Sequence, residues 1–286
     1  MITRTSTSPL LHCGWLKHMA SLIFPQMSSR ALAQYPIRKT NTIRTIKNIL
    51  ADGSMLVATD PGAGQLVWTL SYVALQPPDV SALQAHFEAC GGPLRAFTFL
   101  DPTDNLLTNS ADLTKPPWLS PSTVIIESGL PDPTGGTGAF HVTNGGSAPQ
   151  QITQTLPTAP VGFQYCFSIY ALSANGGTCS LVRSSANTQA ASTSPLSPQW
   201  SRISSSGALN DAGVGLSVGI DLAPGQSLSL FGPQLEPQLA PSRFRPTYST
   251  AGVYTGAHWA AGELIFTANA PNLFSTSFSI ETSVWT

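Results

Sequence analysis

The amino-acid sequence predicts a mainly β protein, in which a β-sheet or β-barrel domain with one helix is interrupted by an inserted β-sandwich. Of the 286 residues, 42% are hydrophobic and only 9% are charged, whereas disordered chains combine low hydrophobicity with high charge. The chain also has 24 glycines and 24 prolines, which is typical of short strands joined by many turns. Helical periodicity is convincing in one segment only.

The first part of the chain predicts a hairpin followed by a further strand. A long strand is expected over 35–50 and a return strand over 54–59, because the Asp52-Gly53 pair between them favours a tight turn. The next strand has the period-2 pattern of a half-buried strand. Its apolar face consists of Leu66, Trp68, Leu70 and Tyr72.

The single predicted helix follows this strand. Pro77-Pro78 is expected to begin it, because a missing backbone N–H does no harm in the first turn. Glycine tolerates the left-handed cap, so Gly91-Gly92 is expected to end the helix. The expected buried stripe consists of Val80, Leu83, Phe87 and Cys90. A strand over 94–100 comes next.

The region from 105 to 246 has no helical periodicity. Turn clusters such as Asn144-Gly145-Gly146 separate short strand-like runs, a spacing that predicts a two-sheet sandwich. The runs are 124–127, 139–143, 150–155, 165–172, 179–183, 200–205, 214–221 and 227–231.

The pattern returns to that of the first part after residue 246, with strands expected over 264–267 and 278–281. A lone pair of strands is barely stable in water, so these strands are expected to complete the sheet begun by 35–100. We therefore expect one domain of residues 19–104 plus 247–286 and an inserted domain of residues 105–246. Residues 1–18 are expected to be a disordered extension.

The charged residues are unevenly distributed along the chain. The net charge of −1 gives no reason to expect nucleic-acid binding, and no apolar run approaches the roughly 20 residues of a membrane span. No Asp or Glu precedes Asp52, whereas Arg38, Lys39, Arg44 and Lys47 do. These cations indicate a strand that faces DNA or an acidic neighbouring subunit, or a solvated edge strand in which lysine blocks stray pairing.

The sequence contains no pattern of residues that is typical of a catalytic or metal-binding site. The four cysteines form no CxxC pair and the five histidines have no metal-ligand spacing, so we expect buried free thiols. Gly215-Leu216-Ser217-Val218-Gly219 matches a nucleophile elbow, but a helix must follow such an elbow and Pro224-Gly225 lies there. Glycoside hydrolysis needs two carboxylates that flank the scissile bond. The sequence gives no sign that any two of the candidate carboxylates lie together; these are Asp101, Asp104, Asp112, Glu127 and Asp132. We expect no catalysis and no cofactor.

Two binding hypotheses remain for the sandwich. Its aromatic residues Tyr170, Trp118 and Trp200 are candidate glycan contacts, with burial in the sandwich core as the alternative for both tryptophans. Strand parity places Tyr165, Phe167 and Ile169 in the core and leaves Tyr170 partly exposed. A structural calcium ion at the rim is the second hypothesis, through Asn105, Asp112 or Glu236.

The first and last parts resemble the N-terminal domain of distal tail proteins from long-tailed bacteriophages and related gene-transfer particles. The resemblance rests on Phe24-Pro25, the strand that ends at Asp52-Gly53-Ser54, Trp68-Thr69-Leu70-Ser71-Tyr72, Phe97 to Pro102, and Tyr254 to Glu281. It implies a tail-tube-like fold and a sixfold ring at the tail tip of the virion. The implied partners are identical subunits, the tail tube and the tip hub.

The inserted region resembles jelly-roll, carbohydrate-binding-like domains of phage tail proteins. The motifs that carry the resemblance are Asn105-Leu106-Leu107 with Trp118, the turn 132–139, the strand 165–170, Trp200-Ser201-Arg202, Gly232 to Glu236, and Arg245-Pro246-Thr247. It implies an accessory domain that contacts host-surface glycans. The alternative is a carbohydrate-binding module for which the other domain is only a scaffold.

Overall fold

A computed structural model describes residues 22–59, 64–260, 265–270 and 273–283, and from residue 261 onward only the backbone. Its one α-helix and its strands confirm the mainly β fold; the extension 1–18 lies outside the described residues. The elements are β1 Gln34–Thr42, β2 Thr45–Ile49, β3 Met55–Thr59, β4 Gln65–Val73, α1 Pro77–Cys90, β5 Phe97–Leu100, β6 Val124–Leu130, β7 Ala139–Asn144, β8 Gln150–Pro160, β9 Tyr165–Leu172, β10 Thr178–Ser184, β11 Gln189–Pro195, β12 Ser201–Gly207, β13 Val214–Leu222, β14 Ser227–Glu236, β15 Val253–Trp259, β16 Ile265–Ala270 and β17 Leu273–Ser283.

The first and last strands of the chain lie in one sheet, here called the terminal sheet. Its order is β1-β4-β17-β15-β5, and β16 pairs with β17. Ile280 lies opposite Trp68, and Val253 lies opposite Leu100. The last strands therefore complete the sheet that the first part begins, as expected. The division into two domains, with its boundaries, stays a prediction.

The helix α1 packs on the terminal sheet with a face that differs from the expected stripe. Leu83 and Cys90 are buried as predicted, but the centre of the buried face is His86. The His86 ring packs against Phe24, Phe97 and Trp259 with centroids 4.8–5.7 Å away. Val80 and Phe87, predicted for the stripe, are only half-buried, because the aromatic cluster around His86 sets the rotation of the helix.

The ends of α1 follow its sequence signals. Pro77 is its first residue and Gly91 ends it in the left-handed conformation, with φ 64° and ψ 42°, which costs glycine no strain. Asp79 in the first turn is buried and accepts hydrogen bonds from the Ser28 backbone N (2.7 Å) and hydroxyl (2.8 Å). The helix start is thus tied to the segment before β1.

The sandwich consists of two antiparallel sheets, β11-β10-β13-β8 and β12-β9-β14-β7-β6. Tyr165, Phe167 and Ile169 of β9 are fully buried in its core, which confirms the parity argument. The strand β11 was not predicted, because its sequence QAASTSP contains no large apolar residue. Pairing with β10 holds it in place, and the Ser180 and Thr193 hydroxyls hydrogen-bond at 2.6 Å across that pair.

The strands β2 and β3 form a separate two-stranded sheet, here called the hairpin. The strand expected over 35–50 is interrupted at residues 43–44, so that β2 continues β1 into the hairpin. Each side chain of the hairpin that the structure describes is exposed. Its apolar members are Ile46, Ile49, Leu50, Met55, Leu56 and Val57.

An ion pair between the buried Asp101 and the partly exposed Lys39 lies where the chain passes from the terminal sheet to the sandwich. Asp101 is 0% exposed, and its Oδ2 accepts hydrogen bonds from Lys39 Nζ (2.7 Å) and Trp68 Nε1 (3.1 Å). Burial lowers the pKa of Lys39, but the charge and hydrogen bond of Asp101 outweigh burial and raise it. The Asp101 backbone N also donates to Gly252 O (2.8 Å). The chain thus leaves and re-enters the terminal sheet side by side.

The cysteines and the elbow-like motif have structural roles. Cys90, Cys166 and Cys179 are free and buried, as expected, and burial raises the pKa of Cys179 to about 12; Cys13 lies outside the described residues. Gly215–Gly219 lies within β13, where the Ser217 hydroxyl hydrogen-bonds to the Thr155 hydroxyl at 2.6 Å. The strand interpretation of this motif is confirmed.

Candidate functional site

A cleft of about 570 Å³ opens on the outer face of the β12-β9-β14-β7-β6 sheet, here called the aromatic cleft. It combines four aromatic rings with small residues and a single charged side chain. Its lining consists of Ser110, Ala111, Thr134, Gly138, Tyr170, Phe231, Gly232, Arg243, Phe244, Pro246 and Tyr248.

Strand pairing brings the central residues of the cleft together. Tyr170 of β9 lies directly opposite Phe231 of β14 on one side and Arg202 of β12 on the other. Directly opposed residues lie on the same face of a sheet. The Tyr170 and Phe231 ring centroids are 6.0 Å apart, and the Arg202 guanidinium carbon lies 5.3 Å from the Tyr170 centroid.

A bulge in β14 and the segment after it build one wall of the cleft. The register of β14 shifts between Phe231 and Gln234, and Gly232 has φ +63°. A Cβ atom on Gly232 would lie 3.0 Å from the Phe244 ring, so glycine allows Phe244 to pack closely over the strand. The Phe244 ring then contacts Phe231 edge-to-face, with centroids 5.2 Å apart.

The opposite wall is a turn that one carboxylate holds rigid. Asp132 Oδ1 accepts hydrogen bonds from Thr134 N (2.7 Å), the Thr134 hydroxyl (2.6 Å) and Gly136 N (3.1 Å), and Oδ2 accepts one from Gly138 N (2.9 Å). These hydrogen bonds lower the pKa of Asp132 to about 2, and the bond from the Thr134 hydroxyl has the largest effect. Thr134 and Gly138 line the cleft, so the carboxylate fixes its rim without facing into it.

The geometry of the cleft suits the binding of a small ligand. Flat aromatic side chains offer apolar faces, and a few polar groups beside them fix orientation, as in small-molecule sites generally. No carboxylate belongs to the described lining of the cleft, whereas glycoside hydrolysis needs two. The described residues also contain no cluster of three His, Cys, Asp or Glu side chains.

The structure brings one of the three predicted glycan contacts into the cleft. Tyr170 lines it and is half-buried. Trp118 is only 5% exposed, and its Nε1 donates to Asn109 O (3.1 Å). Trp200 is half-buried just before β12 and does not belong to the lining. The placement of Trp118 agrees with the core alternative.

The three residues predicted for a calcium ion each satisfy other groups. The buried Asn105 Oδ1 accepts from Leu107 N (3.1 Å) and Leu235 N (3.0 Å). Asp112 Oδ1 accepts from Thr114, and the Glu236 carboxylate accepts from Ser242 and Gln238. Calcium binding through these residues stays a prediction.

Sequence reasoning missed Phe231, Phe244, Arg243 and Tyr248. The alternation of β14 predicted a strand through Phe231 but gave no sign of the bulge. Phe244 and Tyr248 follow the last strand of the sandwich, where no periodicity applies. The only signal available was the aromatic and basic run Arg243-Phe244-Arg245 beside Pro246.

A second space, of about 750 Å³, lies between the terminal sheet and the sandwich. Leu66 and Tyr254 line it from one side, and Leu106 and Leu156 line it from the other. It is larger than the aromatic cleft but presents only one aromatic side chain and no charged side chain. We therefore take the aromatic cleft as the functional site.

Comparisons with known proteins give structural likenesses only. No family model matches the chain, and no curated protein does. Solved structures that are similar include the C-terminal family 22 carbohydrate-binding module of Clostridium thermocellum Xyn10B, with 15% identity and a TM-score of 0.40, covering 51% of this chain and 99% of that one. The CBM22-1 xylan-binding domain of Paenibacillus barcinonensis Xyn10C matches with 14% identity and a TM-score of 0.37, covering 49% and 97%.

A phage structure is also similar. The enzymatically active domain of bacteriophage CBA120 tailspike protein 4 matches with 11% identity and a TM-score of 0.38 over 48% of this chain. The match covers only 22% of the tailspike chain. At these identities and scores the likenesses concern shape alone.

Among the described residues, no helix is long and apolar enough to cross a bilayer.

Proposed function

We propose that the protein is a non-catalytic glycan-binding protein whose site is the aromatic cleft. The observation that carries this proposal is the row Tyr170–Phe231–Phe244, which is packed ring against ring on the outer face of a sandwich sheet. Sugar rings have apolar C–H faces that suit aromatic surfaces, and their hydroxyl groups need nearby donors and acceptors. The hydroxyl groups of Thr134 and Tyr248, on exposed side chains of the lining, supply such groups.

The test is a glycan array on the full chain, followed by titration calorimetry with the best ligand. Tyr170→Ala and Phe244→Ala should each weaken binding about tenfold or more, which corresponds to roughly 1.4 kcal/mol. Tyr35→Ala is the matched control, because Tyr35 is an exposed tyrosine of β1. Equal affinity of the three variants and the wild type would refute the cleft as the site.

A second function concerns the rest of the chain: assembly into a ring of identical subunits at the tail tip of a bacteriophage, joining tail tube and tip hub. The hairpin favours it. Ile49 and Met55 are opposite each other in the hairpin, as are Lys47 and Val57, whereas Ile46 and Leu56 lie on the other face. Apolar side chains therefore occupy both faces of a ribbon that pairs with no other described strand.

Such a ribbon gains most from burial against another molecule. Two strands alone are marginally stable, and burying apolar surface contributes about 25 cal/mol per Å². We propose a second copy of this chain as the partner. An interface between different patches of identical subunits closes into a ring when its rotation closes, and the sandwich would then project from that ring as the part that contacts glycans.

Light scattering and negative-stain class averages of the full chain test this function. The double substitution Ile49→Lys with Val57→Lys should convert an oligomer into monomers without loss of the thermal transition. Leu94→Lys is the matched control, because Leu94 is 77% exposed outside the hairpin. A wild type that stays monomeric at high concentration, alone and with tail-tube protein, would refute assembly into a ring. The glycan-binding function would then stand by itself.

A further inference from the structure

We propose that the aromatic cleft selects an acidic saccharide and that Arg243 binds its anionic group. This inference rests on the proposed glycan-binding function and adds the chemical class of its ligand. The anionic group is a carboxylate, as in a uronate or sialate residue, or a phosphate substituent. Each presents paired oxygens, which the planar guanidinium group can bind with two parallel hydrogen bonds.

Arg243 carries the first part of the argument. It is the one charged residue in the described lining of the cleft, and it is exposed. Its guanidinium group forms no salt bridge with any described residue. The segment on which it lies has Arg243 and Arg245 but no acidic residue from 237 to 262. The charge of Arg243 is therefore available to a ligand.

Arg202 adds a second cation beside the aromatic row. Its Nη2 donates to the Ser168 hydroxyl (2.9 Å) and its Nη1 donates to Ser242 O. Its Nε is buried and has no hydrogen-bond partner among the described residues. Neutral acceptors hold this guanidinium group against the Tyr170 ring, so its positive charge lies beside that ring without a directly bonded carboxylate.

The two neighbouring carboxylates do not cancel this arrangement at the ligand. Asp132 directs its oxygens into its own turn, where Thr134, Gly136 and Gly138 donate to them. Glu236 is buried and accepts from Ser242 and Gln238. Hydrogen-bond donors therefore surround both carboxylates and offset their negative charge. Arg243, in contrast, presents a guanidinium group to the cleft without hydrogen-bond partners among the described residues.

The experiment measures affinity for matched pairs of oligosaccharides with the full chain. Each pair consists of a uronate-, sialate- or phosphate-bearing oligosaccharide and the same oligosaccharide with that group reduced or removed. We expect each preferred acidic member to bind about tenfold tighter than its neutral partner. Raising salt from about 0.05 to 0.5 M should remove most of this preference, because exposed charges are screened. The three kinds of pair distinguish carboxylate from phosphate recognition.

Variants assign the preference to one residue. Arg243→Gln should abolish the difference in affinity between the acidic and the neutral member of each pair, and Arg243→Lys should retain part of this difference. Arg38→Gln, at an exposed arginine of β1, is the matched control. Tyr170→Ala should weaken binding of both members of each pair.

Three outcomes would overturn the inference or a part of it, and they are distinguishable. Equal binding of acidic and neutral members, still sensitive to Tyr170→Ala, would refute acidic selection and leave the glycan-binding function standing. No binding of any oligosaccharide by wild type would refute both. An acidic preference that survives Arg243→Gln would refute the role of Arg243.

Discussion

The sandwich and the hairpin present their apolar residues in opposite ways. In the sandwich, Phe167 and Ile169 are fully buried between two sheets, and four other aromatic side chains line one cleft. In the hairpin, Ile49 is 79% exposed and Met55 opposite it is 58% exposed. Contiguous exposed apolar surface in a folded protein marks an interaction site.

The difference supports our proposal that one chain carries two kinds of recognition surface. The cleft is concave and its walls are fixed by the Asp132 turn and by the packing of Phe244 on Gly232. The hairpin is a projecting ribbon without described packing on either face. A rigid concave site suits a small ligand, whereas a projecting apolar ribbon suits another protein surface.

The largest expected effect is at the junction of the two regions. Asp101→Ala removes the buried carboxylate that accepts hydrogen bonds from Lys39 and Trp68, and it leaves the buried Trp68 Nε1 without this acceptor, at a cost of about 3 kcal/mol. Urea unfolding should show this loss. Asp104→Ala is the matched control: Asp104 lies 3.6 Å from Lys39 Nζ and is partly exposed, so its loss should cost about 1 kcal/mol at most. Equal losses would contradict the assignment.

The terminal sheet should lose stability in mild acid. Burial lowers the pKa of His86 to about 4, below the value of about 6.5 in an unfolded chain. The unfolded state therefore binds the proton first, and the free energy of unfolding should fall between about pH 6.5 and pH 4, by up to about 3 kcal/mol. His86→Leu should flatten this dependence, and His258→Leu, at a half-buried histidine of β15, should not. An unchanged slope in His86→Leu would assign the dependence elsewhere.

Substitution of the two tryptophans of the sandwich should change the stability of the protein by different amounts and should leave glycan binding unchanged. Trp118→Phe removes the hydrogen bond to Asn109 O, which keeps its hydrogen bond from Asp112 N (3.0 Å), so the cost should be about 1 kcal/mol. Trp200→Phe should cost less, because Trp200 is half-buried. Thermal unfolding and glycan titration measure both properties. A large loss of affinity in Trp118→Phe, with unchanged stability, would move the glycan site away from the cleft.

The smallest expected effect concerns the rim of the cleft. Asp132→Asn replaces a carboxylate that accepts four hydrogen bonds, so the 132–138 turn should loosen and glycan affinity should fall about two- to threefold. Because the pKa of Asp132 is about 2, the wild-type turn should keep its carboxylate bonds above about pH 4 and lose them only as the pH falls toward 2. Asp211→Asn, in a turn outside the cleft, should leave affinity unchanged. Equal affinity of Asp132→Asn would mean that the turn does not shape the site.

Sequence patterns predicted the strands whose side chains alternate and missed those whose stability comes from neighbours. The face Leu66, Trp68, Leu70 and Tyr72 of β4 is buried as expected. The edge strand β11 has no large apolar residue, and β15 interrupts its alternation at Thr255-Gly256-Ala257. Hydrogen bonds to β10 and β5 define those two strands, and partner strands cannot be read from local sequence.

The candidate site was predictable only in its central residue. Parity placed Tyr170 on the outer face of β9, because side chains alternate along any regular strand. Phe231 required the pairing of β14 with β9, and Phe244 and Arg243 required the path of the segment after β14. Local alternation gives the face of a strand but neither its partner strand nor the path of a segment without regular structure, so alternation alone could not find them.

The sequence by itself determined the mainly β composition, the single helix with its caps, the turn at Asp52-Gly53 and the face of β9 on which Tyr170 lies. These features depend on neighbouring residues along the chain, which fix backbone dihedral angles and side-chain period. Only the tertiary structure decided the rotation of α1 around His86, the burial of Asp101 with Lys39, and the meeting of Tyr170, Phe231, Phe244 and Arg243. These features join residues far apart in the chain, and their positions follow from sheet pairing and packing.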